Sequence, residues 1–170
     1  MAVVGETSWI GRAGPDEFAV RRAGVEDRAT IFAVHVDSVT TMCGTHYTRQ
    51  QVDGWFEGRS SQDYTRAIER GALWITELDG EAVGITEVFP GKVTMMFVRG
   101  AWTGRGIGAG LLGFALELAA PGPDVTVTLE ATLNAQAFYE RHGFRKTGDG
   151  VLRRASGLHL PIVLMERPPA

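Results

Sequence analysis

Gly104, Gly106, Gly108 and Gly110 alternate within seven positions, between a β-rich run at 92–98 and an apolar helical pattern. Residues without a Cβ let the backbone come close to a ligand and adopt dihedrals closed to other residues. The first N–H groups of the following helix lack intrahelical partners and carry the positive end of its dipole. Such a turn is an anion cradle, and the anion it suits is a phosphate or pyrophosphate. Glycines also serve plain turns, but four at one strand-to-helix junction exceed what turning requires.

A scaffold for this cradle can be read from the periodicities on either side. Residues 18–22 alternate as a short strand, and 24–27 form a turn with Asp27 as a helix cap. Ile31, Phe32, Val34, His35 and Val39 fall at helical spacing, which predicts a helix over 28–42. A second, shorter helix is expected over 48–58, with Val52, Trp55 and Phe56 as its apolar face. Strands are expected at 72–78, 82–89 and 92–98, joined by Asp79-Gly80 and Pro90-Gly91 into an antiparallel meander. A helix over 106–119 is stopped by Pro121 and Pro123, and a β-branched strand at 125–130 returns after that crossover. A short helix over 134–142 ends at Gly143, and strands at 144–153 and 158–166 close the chain. The fold class is therefore mixed α/β, with a largely antiparallel sheet and one right-handed crossover around the glycine turn. Residues 1–16 show no clear period and read as an extension before a domain at 17–168.

Composition bounds the function further. The chain has 170 residues, 44% hydrophobic and 22% charged, which suits one globular domain with a sizeable core. A net charge of -3 argues against nucleic acid as the main partner. The single cysteine, Cys43, excludes an internal disulfide and a thiolate metal cluster, so no metal is expected. No apolar run reaches membrane-spanning length and residues 1–15 lack a signal-peptide pattern, so a cytoplasmic location is expected.

Three phosphate ligands compete for the glycine turn. No segment carries the Gly-x-x-x-x-Gly-Lys run of a nucleotide-binding P-loop. Gly104-x-Gly106-x-x-Ala109, with Glu130 ending the next strand, fits the degenerate dinucleotide fingerprint of an oxidoreductase. However, the turn follows a meander, and too little chain remains for a second doubly wound half. The third ligand comes from a resemblance. Thr103-Gly104-Arg105-Gly106-Ile107-Gly108 resembles the acyl-CoA loop of the GNAT family of N-acetyltransferases, Arg/Gln-x-x-Gly-x-Gly/Ala. The run from Asn134 to Phe144, with Ala137-Phe138-Tyr139 inside it, is similar to that family's Asn-x-x-Ala-x-x-Phe-Tyr segment closed by Gly-Phe. Thr103 departs from the pattern, standing where Arg or Gln is usual.

The resemblance implies a GNAT-like acyl-CoA N-acyltransferase fold and direct transfer of an acetyl group from acetyl-CoA to an amine. It implies that Met96, Phe97 and Val98 face the pantetheine arm and that an N–H of this strand polarises the thioester carbonyl. Thr103, Gly104, Arg105, Gly106, Ile107 and Gly108 would surround the pyrophosphate. Asn134 would hold the CoA arm, and Tyr139 would be the general acid, since a phenol keeps its proton at neutral pH. The strand before the loop, Val93-Thr94-Met95-Met96-Phe97, lacks the carboxylate many relatives carry there. Glu87, on the neighbouring strand, is the expected base through a water; His35, His46 and Glu130 are weaker choices. Arg105 and Arg141 are candidate phosphate contacts, and Tyr47, Trp55 and Phe56 belong either to the acceptor pocket or to the core. The absent carboxylate leaves open a non-catalytic acyl-CoA-binding or sensing module. Acetyl-CoA and an amine, as a small molecule or on a peptide or protein, are the expected ligands; a homodimer is admitted and no membrane partner is expected.

Overall fold

Phe18 and Val20 turn to one face of strand β2 (Asp16–Arg22), while the residues between them face the other way. That period of two recurs along the sheet. In the computed structural model, which describes residues 8–169, eight strands form one sheet. The others are β1 (Trp9–Ala13), β3 (Leu73–Leu78), β4 (Glu81–Phe89), β5 (Lys92–Val98), β6 (Val127–Thr132), β7 (Arg145–Arg153) and β8 (His159–Arg167). Their spatial order is β1-β2-β3-β4-β5-β6-β8-β7. Neighbours run antiparallel except β5 and β6, which are parallel. The helices are α1 (Arg28–Met42), α2 (Arg49–Asp53), α3 (Thr65–Glu69), α4 (Ile107–Ala119) and α5 (Gln136–Arg141). The mixed, largely antiparallel architecture expected from the sequence is the one observed.

Two local expectations are corrected. Residues 9–13, assigned to an extension, form β1 and pair with β2 from Trp9↔Val20 to Ala13↔Asp16. Five residues interrupted by Gly11 give little period. The strand is held by tertiary contact, with the Trp9 ring 6.0 Å from that of Phe18 and 5.6 Å from that of Phe114. The part of the extension at 1–7 lies outside the described residues. The helix expected over 48–58 is confined to α2. Thr48 and Gln51 close a reciprocal capping box at its start, and Gly54 follows its end. The chain then forms turns, a 3-10 segment at Ser61–Tyr64 and α3, which alternation alone does not reveal.

The two faces of the sheet are covered by different helices. On one, Ile31 and Val34 of α1 pack with Leu73, Ile75 and Ile85. On the other, Ile107, Leu111 and Phe114 of α4 pack with Phe18, Val20, Trp74 and Val83. Gly110 lets α4 approach closely on this side, since a Cβ there would lie 2.5 Å from Phe18 Cζ. Phe18 is fully buried and cannot swing away. Gly110→Ala should therefore destabilise the protein by about 1–3 kcal/mol through overpacking and lower Tm by roughly 2–10 °C, as read by thermal unfolding.

Candidate active site

Strands β5 and β6 pair at only two positions, Lys92↔Thr128 and Val93↔Leu129. Beyond Val93 they part, and a cavity of about 510 Å³ opens between them. A bulge marks the point of departure. Glu87 faces Met95 and Val88 faces Val93, so Thr94 is the extra residue, and such a bulge bends a strand and increases its twist. Arg99 N–H donates to Val83 O at 2.8 Å, which fixes the phase of the β4–β5 ladder. By the alternation of an antiparallel ladder, Phe97 turns its backbone groups to β4, while Met96 and Val98 turn theirs to the gap. All three residues line the cavity, Phe97 through its side chain.

The cavity continues under the glycine turn, where Thr103, Gly104, Gly106, Gly108 and Ala109 line it. Gly106 is the N-cap of α4 at φ 88, in the left-handed region, and no side chain caps the helix. The first backbone bond onto this turn comes from Gly110 N to Gly106 O, at 3.1 Å. The preceding N–H groups are thus available to an anion, as the sequence implied. Thr103 turns its hydroxyl to Gly100 O at 2.8 Å, which ties it to the turn. Two side chains lie elsewhere than a phosphate contact would need. Ile107 is wholly buried in the core, leaving only its N–H for a ligand. The Arg105 guanidinium stacks over Trp102, 4.5 Å from the ring centre, and pairs with Asp16. Arg141, by contrast, lines the cavity.

The opposite wall comes from the end of β6, the 3-10 turn at Leu133–Ala135 and α5. Asn134 lines it, and its Oδ1 accepts from Cys43 Sγ at 3.4 Å, which leaves the amide NH₂ for a ligand. Burial pushes the Cys43 thiol up to about 11, so it stays protonated and serves as this donor. Tyr139 also lines the cavity, buried between Phe138 and Phe144. Its hydroxyl has no protein hydrogen-bond partner among the described residues, and burial pushes its pKa upward.

Glu87 does not line this cavity. It lies across the ladder from Met95, on the face of the sheet covered by α1, one strand back from the gap. Burial raises its pKa, against the opposing pull of Thr94 and of the Arg59 and Arg70 charges. His35 is nearer: its ring stacks on Phe97 with centres 4.1 Å apart and meets Phe56 edge-on at 4.9 Å. Its Nδ1 is 2.8 Å from Tyr64 Oη, and its Nε2 is buried without a partner. Desolvation, with the charges of Arg59 and Arg154, pushes this imidazole down to about 3 and keeps it neutral. The other candidates are placed differently. His46 is exposed beside Thr45. Glu130 reaches the cavity wall but pairs with Lys92 at 3.6 Å. Tyr47 and Trp55 are core, with Tyr47 Oη donating to Pro161 O and accepting from Leu133 N. No sequence motif marks Cys43 as lining the cavity, or Arg59 and Arg154 as acting on His35 from segments far apart in the chain.

Comparison with known proteins agrees with this geometry. A family described as "Acetyltransferase (GNAT) domain" matches residues 43–163. An uncharacterized N-acetyltransferase, YafP, of Escherichia coli is 24% identical over 70% of this chain and 75% of its own. An uncharacterized N-acetyltransferase of Archaeoglobus fulgidus is 28% identical over 77% of this chain and 95% of its own. Among solved structures, a GCN5-related N-acetyltransferase from Rhodopseudomonas palustris superposes with a TM-score of 0.74 at 22% identity, covering 88% of this chain and 94% of that one. The PaiA N-acetyltransferase from Thermoplasma acidophilum, solved with coenzyme A, gives 0.66 at 17% identity, covering 89% and 98%. The likeness to these structures is one of fold.

The neutral His35 links the site to acid stability. Its pKa falls from 6.5 in the open chain to about 3 in the fold, so the unfolded state binds a proton that the native state refuses. Its contribution is complete above pH 6.5 and is lost as pH falls from there toward 3. His35→Gln, compared with the parent by denaturant unfolding across this range, should remove up to about 1.4 kcal/mol of pH dependence per pH unit.

Proposed function

The chain belongs to the GNAT family of acetyltransferases, and from that membership we propose how its own residues transfer an acetyl group from acetyl-CoA to an amine. The observation that carries the reading is the continuity of the opened β5–β6 gap with the uncapped start of α4, in one cavity lined by Tyr139. The N–H groups after Gly106 hold the pyrophosphate, and Asn134 and the gap-facing backbone of Met96 and Val98 hold the pantetheine arm. Acetyl-CoA, when bound, supplies an activated acyl group as its thioester. A backbone N–H of Met96 or Val98 polarises the acyl carbonyl, as an oxyanion-hole donor does. Phe97, whose own N–H faces β4, contributes its ring as a wall.

Tyr139 holds a proton at its hydroxyl and delivers it to the departing sulfur. The direction of its pKa suits the role, because a phenol made less acidic by burial remains a donor throughout neutral and mildly alkaline pH. Glu87 accepts the amine proton through a water, since it sits behind Met95 rather than in the cavity. A raised carboxyl pKa makes it a better base than an exposed glutamate.

Calorimetry should show acetyl-CoA binding and no comparable binding of NADH; the reverse result defeats the reading. Tyr139→Phe should lower kcat by roughly a hundredfold while leaving the affinity for acetyl-CoA unchanged. Free-thiol release read across pH should fall as Glu87 is protonated, and Glu87→Gln should flatten that acidic limb with a kcat loss on the order of a hundredfold. Tight acetyl-CoA binding with no thiol release across amines would instead support a sensing module.

A further inference from the structure

Behind Phe97, on the side of the sheet covered by α1, two arginines from distant parts of the chain converge. Arg154 follows β7 and anchors its Nε to Trp55 O at 3.0 Å. Arg59 follows the same Trp55 turn and lies over the Tyr64 ring, 6.0 Å from its centre. Both are half-buried. Arg59 has a long, partly exposed contact with Asp63 at 3.8 Å. Arg154 has no ion-pair partner among the described residues, and the charge acting on it besides burial is that of Arg59. Two like charges brought together in half-buried surroundings repel each other, and an anion between them relieves that repulsion.

A third donor belongs to the same neighbourhood. His35 Nδ1 lies 2.8 Å from Tyr64 Oη; in the tautomer in which Tyr64 donates, the imidazole proton rests on Nε2, which is buried and lacks a partner. Each group is tied to the transfer site by contact. His35 stacks on Phe97, which lines the acyl-CoA cavity, and Tyr64 joins His35 to the ring beneath Arg59. Leu152 and Leu158, which flank Arg154 in sequence, pack in the same cluster as Phe97.

Resting on the transferase reading above, we infer that the amine acceptor carries an oxyanion, carboxylate or phosphate, held by Arg59 and Arg154 with His35 beside them. The guanidinium fork matches either oxyanion in two-point contact. The anionic end would be gripped on the α1 side while the amine reaches past Phe97 to the gap between β5 and β6.

The test measures free-thiol release from acetyl-CoA with L-amino acids, the same amino acids as C-terminal amides, phosphoethanolamine and ethanolamine. The expected result is a kcat/KM at least tenfold higher for acids than for amides, or for phosphoethanolamine than for ethanolamine, and the productive arm identifies the oxyanion. Arg154→Gln should raise KM for the preferred acceptor roughly ten- to a hundredfold, with KM for acetyl-CoA unchanged. Equal or better use of the neutral amines overturns the inference, as does a lack of thiol release from every anionic member although acetyl-CoA binds; both leave the donor reading standing. Failure of the parent protein to bind acetyl-CoA overturns both. If Arg154→Gln does not fold, the acid-against-amide comparison on the parent protein still decides.

Discussion

An edge in the middle of a sheet is the constraint on which the rest of this structure depends. Strands β5 and β6 are neighbours in the sheet order yet share only Lys92↔Thr128 and Val93↔Leu129. Backbone N–H and C=O groups must find partners, and those of Met96 and Val98 face a gap instead of a strand. The separation is enforced from both sides. β6 is held by β8 along all six of its residues, while β5 is held by β4 and deflected by the bulge at Thr94. A ligand arm with amide groups can complete this ladder in a way a closed sheet could not. The wedge also opens directly onto the turn that begins α4, so one molecule can pair with the strand edge and place its phosphates on the helix start.

Helix α1 keeps the two halves of the site in register. Asp37 accepts from Gly100 N at 2.9 Å and pairs with Arg99 at 3.5 Å, which ties the helix to the segment that leads into the glycine turn. Two turns later Cys43 donates to Asn134 on the opposite wall. Two residues before Asp37, His35 rests on Phe97. A single helix therefore touches the segment before the glycine turn, the cavity wall at Asn134 and strand β5 at Phe97. Small changes in its position would be felt by all three.

What the sequence disclosed follows from how local each signal is. The glycine turn, the Asn134–Phe144 run and the meander are each contained in a short stretch, and their periodicities are set by backbone geometry. Strand β1 was not legible because five residues broken by Gly11 acquire their conformation from β2 and from the Trp9 contacts. The helix expected over 48–58 failed because the apolar spacing of Val52, Trp55 and Phe56 is equally met by a short helix followed by turns. Glu87 was legible as a carboxylate on β4, but its position set back from the cavity was not. Arg59 and Arg154 look like ordinary surface cations in the sequence. Only the fold brings their charges together across 95 positions.

The two halves of the site are built from different materials, and this explains the departure at Thr103. The donor half is mainly backbone: the N–H groups after Gly106, and the free edge of β5. A backbone cradle needs room and left-handed dihedrals more than it needs a particular side chain at its head. Thr103 can therefore turn its hydroxyl back to Gly100 O and Arg105 can be committed to Trp102 and Asp16 without removing any phosphate donor of the helix start. The acceptor half, as proposed, is made of side chains from α1, the turns after α2 and the hairpin of β7 and β8. Side chains can be exchanged without disturbing the strands that carry them. The same sheet can thus keep one donor while its far face is rewritten for a different amine.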